Sequence, residues 1–172
     1  AFGAVVPPLY LSTTYQFEGY DKPGPYDYGR GNNPTRDQFA SALAQLEEGA
    51  GAVITSSGLG ALDLLVGRLT PSDLVIAPHD AYAGTLRLLQ ARANRGHFRL
   101  CLVDQSDDAD VHQALDDTPA LLLIESPSNP LMRVVDIESR AGWAHQAGAE
   151  VAVDNTFLSP ALQQPIPLGA DY

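Results

Sequence analysis

Cysteine, lysine and long apolar stretches are all scarce in this sequence. Cys101 is the only cysteine and Lys22 the only lysine, so neither a disulfide nor a cysteine metal site can form within the chain. Cys101 lies in the apolar run "FRLCLVD", which predicts a buried, unreactive thiol. The apolar runs fall far short of the roughly 20 residues that a membrane-spanning helix needs, and no basic segment precedes an apolar one as in a secretory leader. We therefore expect no membrane association and a cytoplasmic location.

Basic residues are also few, at 10 against 21 acidic residues, which gives a formal net charge of -11. No stretch combines Lys or Arg with aromatic residues, so a nucleic-acid partner is not expected. The four histidines have no metal-ligand spacing and are better explained as surface or structural residues: His79, His97, His112 and His145. No metal site is therefore predicted. Hydrophobic residues make up 45% of the chain, which is enough for a globular domain with a substantial core.

Short apolar runs alternate with helix-like segments along the chain. The apolar runs lack polar alternation and predict strands buried on both faces at 51–55, 73–78, 99–104, 120–126 and 150–155. The segments with helical periodicity are 33–49, 58–69, 81–96, 108–117 and 137–148. This order of strands and helices predicts an α/β domain with a largely parallel sheet.

Polar motifs follow several of the predicted strands. Ligands of such sheets bind beyond the carboxyl ends of the strands, so "TSSG", "PHDAY", "ESPSNP" and "DNTF" are expected along one rim. In the first motif, Ser57 is expected to cap a helix and to leave the N–H groups of Gly58 and Leu59 free for a phosphate. An ordinary capped helix would explain the same pattern. The glycine spacing matches neither the dinucleotide fingerprint nor a P-loop, which favours the phosphate of a smaller cofactor.

Two carboxylates end predicted strands. Asp154 directly follows an apolar run, where an ionised group needs a cation or strong donors. The protonated nitrogen of a pyridine ring would supply that cation, whereas a helix cap or a surface turn is the alternative. Glu125 ends another predicted strand and is expected either to brace the site or to form a structural hydrogen bond.

The segment before the first helix, "FEGYDKPGPYDYGRGNNP", has no apolar period. Loops of this length are commonly functional or disordered, and three closely spaced tyrosines argue against disorder. We therefore expect an ordered, functional loop.

Five motifs, in this order, resemble the Cys/Met-metabolism family of pyridoxal-phosphate enzymes: "YDYGRGNNPTRD", "SSGLGAL", "APHDAYAGTLRL", "ESPSNPLMRVVDI" and "VDNTFLSPALQQPIPLGAD". The resemblance runs from about Ala4 to the end of the chain. It implies an aspartate-aminotransferase-like (fold type I) large domain, with a mostly parallel sheet and flanking helices, that is incomplete here. Residues 34–172 would be its first part and residues 1–33 an arm and loop reaching a neighbouring subunit. The rest of that domain and a C-terminal domain would be absent.

The resemblance also implies roles for individual residues. Asp154 would hold the pyridinium proton of pyridoxal 5'-phosphate and Tyr82 would stack on its ring, a contact that suits a flat aromatic side chain. These two would be the catalytic residues. Backbone donors to the phosphate would be Gly58 and Leu59, and Asn129 would lie beside the ring hydroxyl.

The loop residues Tyr28 and Arg30 match the pair that reaches the phosphate of a neighbouring subunit. The resemblance thus implies a homodimer, or a tetramer, with shared active sites. Asp27 and Arg87 are further candidates for contacts with the amino or distal carboxylate group of a substrate. An exposed ion pair is the alternative for both.

The chain departs from the family pattern at two points. Gly29 stands where the family usually has serine, and Gly31 where close relatives often have arginine or serine, which puts the substrate-end contacts of the loop in question. The family's cofactor lysine lies beyond the "LGAD" motif, whereas Lys22 is expected to be a solvated surface residue. The chain is therefore expected to be a fragment that cannot catalyse alone.

For the complete protein, the resemblance implies a transsulfuration enzyme acting on small amino acids. Replacement at Cγ of an O-acylhomoserine by cysteine, a step of methionine biosynthesis, is preferred over γ- or β-elimination from cystathionine. A catalytically inactive homologue, or a binding module built on the same domain, is the alternative from another class.

Overall fold

The computed structural model describes residues 3–172, which divide into two compact units. One unit contains the residues up to Gln45 together with Gly49–Ile54, and the other contains Leu46–Glu48 and Thr55–Tyr172. The second unit holds the sheet and the residues predicted to bind the cofactor ring.

A parallel sheet of four strands forms the centre of the second unit, in the order β2-β1-β3-β4. The strands are β1 Leu74–Pro78, β2 Arg99–Val103, β3 Leu121–Glu125 and β4 Glu150–Asp154. The helices of the chain are α1 Pro34–Leu46, α2 Gly58–Val66, α3 Ala83–Asn94, α4 Asp108–Leu115, α5 Ile137–Gln146 and α6 Ser159–Leu162. The predicted α/β class with a parallel sheet is confirmed. Within residues 3–172, no helix combines the length and the apolar character needed to cross a bilayer.

Alternation along the strands sends apolar side chains to both faces of the sheet. On one face, Ile76, Ile124 and Val151 pack in a cluster that includes residues of α4 and α5. On the other face, Val75 and Leu123 pack in a cluster with residues of α2 and α3. Helices therefore cover both faces, which explains why these strands read as continuous apolar runs.

Two strand predictions are corrected by the structure. The run 51–55 forms no strand: it is irregular, and its Val53 is 73% exposed. An apolar run becomes a strand only when another strand pairs with its backbone groups, and this run has no ladder hydrogen bonds. The second correction concerns β2, which is one of the two edge strands of the sheet and is only partly covered. Cys101 on this strand is consequently half-buried rather than buried, and its burial still raises the pKa of the thiol.

The Gly/Pro/Tyr-rich loop of the first unit doubles back on itself. Gly29 N–H donates to Thr13 O at 2.8 Å, Tyr15 N–H donates to Asp27 O at 3.0 Å, and Thr14 forms an antiparallel bridge with Tyr28. The segment is thus an irregular hairpin with defined hydrogen bonds. Sequence periodicity could not reveal it, because its pairing does not depend on apolar alternation.

Candidate active site

The carboxyl ends of the strands form one rim, as predicted from the topology. "PHDAY", "ESPSNP" and "DNTF" begin at the last residues of β1, β3 and β4. The fourth predicted motif, "TSSG", does not follow a strand, because the run 51–55 forms none. The register pairs Glu125 with Asp154 across β3 and β4. Two carboxylates therefore lie side by side at the ends of neighbouring strands.

Asp154 is anchored through one of its two carboxylate oxygens. Its Oδ1 accepts hydrogen bonds from Thr156 N–H at 3.1 Å and from Thr156 Oγ1 at 2.5 Å. Its Oδ2 accepts no hydrogen bond, and no Lys, Arg or His pairs with it, among residues 3–172. The side chain is thus oriented by its own turn and keeps one oxygen for a donor.

The N-terminus of α2 has the cap that was predicted. Ser57 is the N-cap residue, and its side chain accepts from Gly60 N–H at 3.1 Å. The N–H groups of Gly58 and Leu59 donate to no acceptor in the described part of the chain. A Cβ placed on Gly58 would meet no atom within 4 Å, so the space beside these donors is open. Free N–H groups at a helix N-terminus form an anion site.

Tyr82 precedes α3 as its N-cap residue, and the residue is 44% exposed. The ring lies directly over Gly84: a Cβ there would overlap Tyr82 Cε1 and would be 3.2 Å from Leu59 Cδ1. Gly84 therefore provides the space that the tyrosine ring occupies. Leu59, at the start of α2, and Tyr82 both lie beside Gly84. The predicted phosphate donors are therefore close to the predicted stacking residue.

Glu125 links Tyr82 and Asn129. Its carboxylate accepts from Tyr82 N–H at 2.9 Å (Oε2) and 3.1 Å (Oε1), and from Asn129 N–H at 2.7 Å (Oε1). Burial raises the pKa of Glu125, the two backbone donors oppose that rise, and the nearby charges of Asp154 and Asp80 add to it. Of the two expectations for Glu125, bracing of the site is the one that these contacts favour.

A second polar network, which sequence reasoning missed, holds the loop that carries Asn129. Ser128 Oγ donates to Asp80 Oδ2 at 2.8 Å, and Arg133 Nη1 donates to Asp104 Oδ2 at 3.1 Å. Arg133 N–H also donates to Ser128 Oγ at 3.3 Å. Backbone donation from Ser106, with the Arg133 charge adding to it, lowers the pKa of Asp104. The polar residues after β1, β2 and β3 are the sequence signal for such a network, but their pairing depends on strand order.

Tyr28 and Arg30 meet in the first unit. Arg30 Nη2 donates to Tyr28 OH at 2.8 Å, and its guanidinium lies over the tyrosine ring, 5.2 Å from the centroid. Both border an open cavity of about 210 Å³. Gly29 between them lies close to another strand of the loop, since a Cβ would be 2.9 Å from Ser12 O. A side chain at position 29 would therefore require the backbone around Ser12 to shift.

The substrate candidates have weaker support. Asp27 is exposed, and its Oδ1 accepts from Tyr28 N–H at 2.6 Å, so it fixes the tyrosine backbone. Arg87 is exposed on α3 and pairs with no side chain among residues 3–172. Lys22 is exposed in the loop, as predicted. The described residues contain no group of three or more His, Cys, Asp or Glu side chains arranged for a metal.

The second unit fits the ring and phosphate of pyridoxal phosphate. Asp154 presents a free carboxylate oxygen, Gly58 and Leu59 present free N–H groups beside open space, and Tyr82 presents an exposed ring. These are the donor and acceptor types that a protonated pyridine ring and a phosphate require.

The chain is similar to known proteins along its whole length. The family model for "Cys/Met metabolism PLP-dependent enzyme" matches residues 1–172. Cystathionine gamma-synthase of Escherichia coli (strain K12) is 53% identical over 99% of this chain and 44% of its own length. Cystathionine beta-lyase of Lactococcus lactis subsp. cremoris (strain MG1363) is 38% identical over 98% of this chain and 44% of its own length.

A solved structure shares the fold closely. The cystathionine gamma synthase from Xanthomonas oryzae pv. oryzae, in complex with aminoacrylate and cysteine, superposes with a TM-score of 0.96 at 49% identity, covering 99% of this chain and 44% of that one. The chain thus spans less than half the length of these relatives. The family description names the cofactor, which confirms the predictions of pyridoxal phosphate, of an enzyme family and of the aspartate-aminotransferase-like fold. The chain belongs to the Cys/Met metabolism family of PLP-dependent enzymes.

Proposed function

We propose that this chain is the first part of the cofactor-binding domain of an enzyme that makes cystathionine. In the proposed reaction a bond forms between the cysteine sulfur and Cγ of an O-acylhomoserine while the Cγ–O bond breaks, and the acyloxy group leaves as a carboxylic acid that carries the thiol proton. The observation that carries the proposal is the Asp154 carboxylate, which is anchored through Oδ1 and free at Oδ2 beside the Glu125 rim.

The side chains have distinct roles in this proposal. The free Asp154 oxygen keeps a proton on the ring nitrogen, because the charged pair is more stable than the neutral ring beside a carboxylate. Pyridoxal phosphate, when bound, supplies an electron-withdrawing ring. Tyr82 stacks on that ring, Asn129 lies beside its hydroxyl group, and the N–H groups at the start of α2 bind the phosphate.

Replacement is favoured over elimination by sequence similarity. Identity is 53% to a cystathionine gamma-synthase and 38% to a cystathionine beta-lyase, over nearly the same residues. The residues that hold the cofactor serve either reaction equally, because all of these reactions need the same ring and phosphate contacts. Asp27 and Arg87 remain the proposed substrate contacts.

We further propose that the lysine linked covalently to the cofactor lies outside residues 1–172. Lys22, the only lysine here, is exposed in a Gly/Pro-rich loop of the first unit. Reduction of the full-length protein with borohydride, followed by peptide mass spectrometry, should place the cofactor on another lysine. Label on Lys22, or on none, would contradict this assignment, and absence of label would favour the inactive homologue.

Residues 1–33 are proposed to reach a neighbouring subunit in a homodimer or tetramer. The Arg30 guanidinium, oriented by Tyr28, is a bidentate donor suited to phosphate. In this arrangement each site takes its ring contacts from one subunit and its loop donors from the other.

The test of the proposed reaction uses the full-length protein loaded with pyridoxal phosphate. One sample receives O-succinylhomoserine with cysteine, a second receives cystathionine alone, and products are identified by mass spectrometry. Cystathionine and succinate from the first sample, with little turnover in the second, support the proposal. Faster breakdown of cystathionine would assign an elimination reaction instead. Protein freed of cofactor and then reloaded is the matched control, since both rates should vanish and return together.

A further inference from the structure

Glu125 is a buried carboxylate at the centre of three residues predicted to contact the cofactor. It is 4% exposed, its carboxylate accepts the backbone N–H groups of Tyr82 and Asn129, and its Cα is paired with that of Asp154 in the sheet. Gln105 fixes the Glu125 backbone from the side, with Nε2 donating to Glu125 O at 2.6 Å. The carboxylate is thus rigidly placed relative to all three residues.

Among residues 3–172, the charge of Glu125 is compensated by these backbone donors and by no cation. No Lys, Arg or His forms an ion pair with it in the part of the chain that the structure describes. A buried carboxylate without a cation is costly, and hydrogen bonds to a charged acceptor are stronger than those to a neutral one. Both donors belong to residues with roles in the proposed site. Burial of the Glu125 carboxylate is therefore least costly when Tyr82 and Asn129 keep the positions in which they donate to it.

We propose that Glu125 is a positioning residue that fixes the distance between the stacking ring of Tyr82 and the amide of Asn129. A carboxylate has two oxygens that both accept, so it can hold N–H groups from two different segments at once. Glutamine in its place has one accepting oxygen and no charge, and an NH2 group at the position of Oε2 would face Tyr82 N–H, donor against donor, so the shorter of the two Tyr82 hydrogen bonds is lost. The inference rests on the proposed function, because it takes Tyr82 and Asn129 as the residues that contact the cofactor ring.

The test compares full-length Glu125→Gln with wild type after loading with pyridoxal phosphate. The visible circular dichroism of the bound cofactor reports the orientation of its ring, and titration of the cofactor-free protein reports affinity. We expect the dichroism per bound cofactor to change in size or sign, and binding to weaken about 10-fold, the effect of losing one charge-assisted hydrogen bond. Glu150→Gln is the matched control: it removes an ion pair with Arg68 at the opposite end of β4 and should leave both readouts unchanged.

The outcomes separate the two proposals. If wild type shows cofactor dichroism and Glu125→Gln reproduces it with unchanged affinity, Glu125 is a structural brace only and the inference is overturned. If wild type binds no pyridoxal phosphate, both the proposed function and this inference are overturned. Should Glu125→Gln not fold, Glu125→Asp keeps the charge but is one methylene too short to hold both segments, so it should alter the dichroism. Wild-type dichroism and affinity in that variant would also overturn the inference.

Discussion

At the scale of single residues, the most informative contact is the turn that holds Asp154. Thr156 contributes both a backbone and a side-chain donor to the same carboxylate oxygen. The other oxygen is left with full acceptor capacity at the end of β4. The contacts of Oδ1 are those of an Asx turn, so the interaction that distinguishes the proposed role is the one made by the free oxygen.

Replacing Asp154 should separate cofactor binding from turnover. Asp154→Asn keeps the side-chain shape and the Thr156 contacts but removes the charge. Asp154→Ala removes the Thr156 contacts as well as the charge. A charge-assisted hydrogen bond contributes about 1.5–3 kcal/mol, so we expect turnover to fall about 10- to 150-fold if that interaction is made mainly in the transition state. Cofactor should still bind through its phosphate contacts, as measured by absorbance.

The matched control for this charge change is Asp136→Asn. Asp136 caps α5 by accepting from Ser139 N–H at 3.2 Å, and asparagine caps helices about as well as aspartate. Its turnover should therefore equal that of wild type. Normal turnover in both Asp154 variants would reject Asp154 as the partner of the ring nitrogen.

At the scale of secondary-structure elements, the start of α3 carries Tyr82 against Gly84. Alanine is a better helix former than glycine by roughly 0.5–1 kcal/mol, so Gly84→Ala should not weaken α3 itself. The new Cβ would nevertheless overlap Tyr82 Cε1, so the Tyr82 ring would have to move. An aromatic stack contributes about 0.5–1.5 kcal/mol, which predicts about 2- to 13-fold weaker cofactor binding in a titration of the full-length protein.

Gly142→Ala provides the comparison for this variant. Gly142 lies within α5, and a Cβ there would meet no atom within 4 Å, so only the helix preference changes. It should bind the cofactor as wild type does. Equal affinity in Gly84→Ala would mean that the position of the Tyr82 ring does not contribute to binding.

The elements that sequence alone predicts well are those with their own periodicity and caps. The cores of β1, β3 and β4 and the span of α5 follow from local pattern, because each buries a continuous apolar face. The run 51–55 looks the same locally, yet it forms no strand, since strand formation depends on a partner that local sequence does not encode.

Candidate site residues could be predicted where a motif marks them and not where they depend on pairing. The resemblance predicts roles for Tyr82, Asn129 and Asp154, whereas the contacts of Glu125 follow from strand register and loop backbone hydrogen bonds. The motif "YAG" marks Gly84 in the sequence. Only the structure shows what the glycine does, because a Cβ at this position would overlap Tyr82 Cε1.

At the scale of the whole molecule, the proposed sharing of sites between subunits makes a quantitative prediction. An Arg30→Ala chain and an Asp154→Ala chain should each be nearly inactive alone, since one lacks a phosphate donor and the other the partner of the ring nitrogen. In a mixed dimer both changes fall in one site and the other site is intact. Doubly tagged full-length dimers, purified after co-expression, should therefore recover roughly half of wild-type activity per site.

A matched pair for the hybrid experiment combines the Asp154→Ala chain with a chain carrying both substitutions. Both chains of that dimer lack the Asp154 carboxylate, so neither site is intact and activity should stay at the parental level. Activity no better than the parents in the first hybrid would place Arg30 in the site of its own subunit or outside any site.

The two edges of the sheet differ in how they meet solvent. Along β4 the outward amides are occupied, because Val151 N–H donates to Asp171 Oδ2 at 2.8 Å and Val153 N–H donates to Tyr172 O at 2.9 Å. Along β2, Arg99 N–H faces β1, so by alternation the amides of Leu100 and Leu102 point away from the sheet. In hydrogen–deuterium exchange, Val151 and Val153 should retain their protons far longer than Leu100 and Leu102. Among residues 3–172 no strand pairs with the outer edge of β2, and an open strand edge is where copies of a chain join sheet to sheet. Aggregation of this chain on heating should therefore begin at β2 rather than at β4.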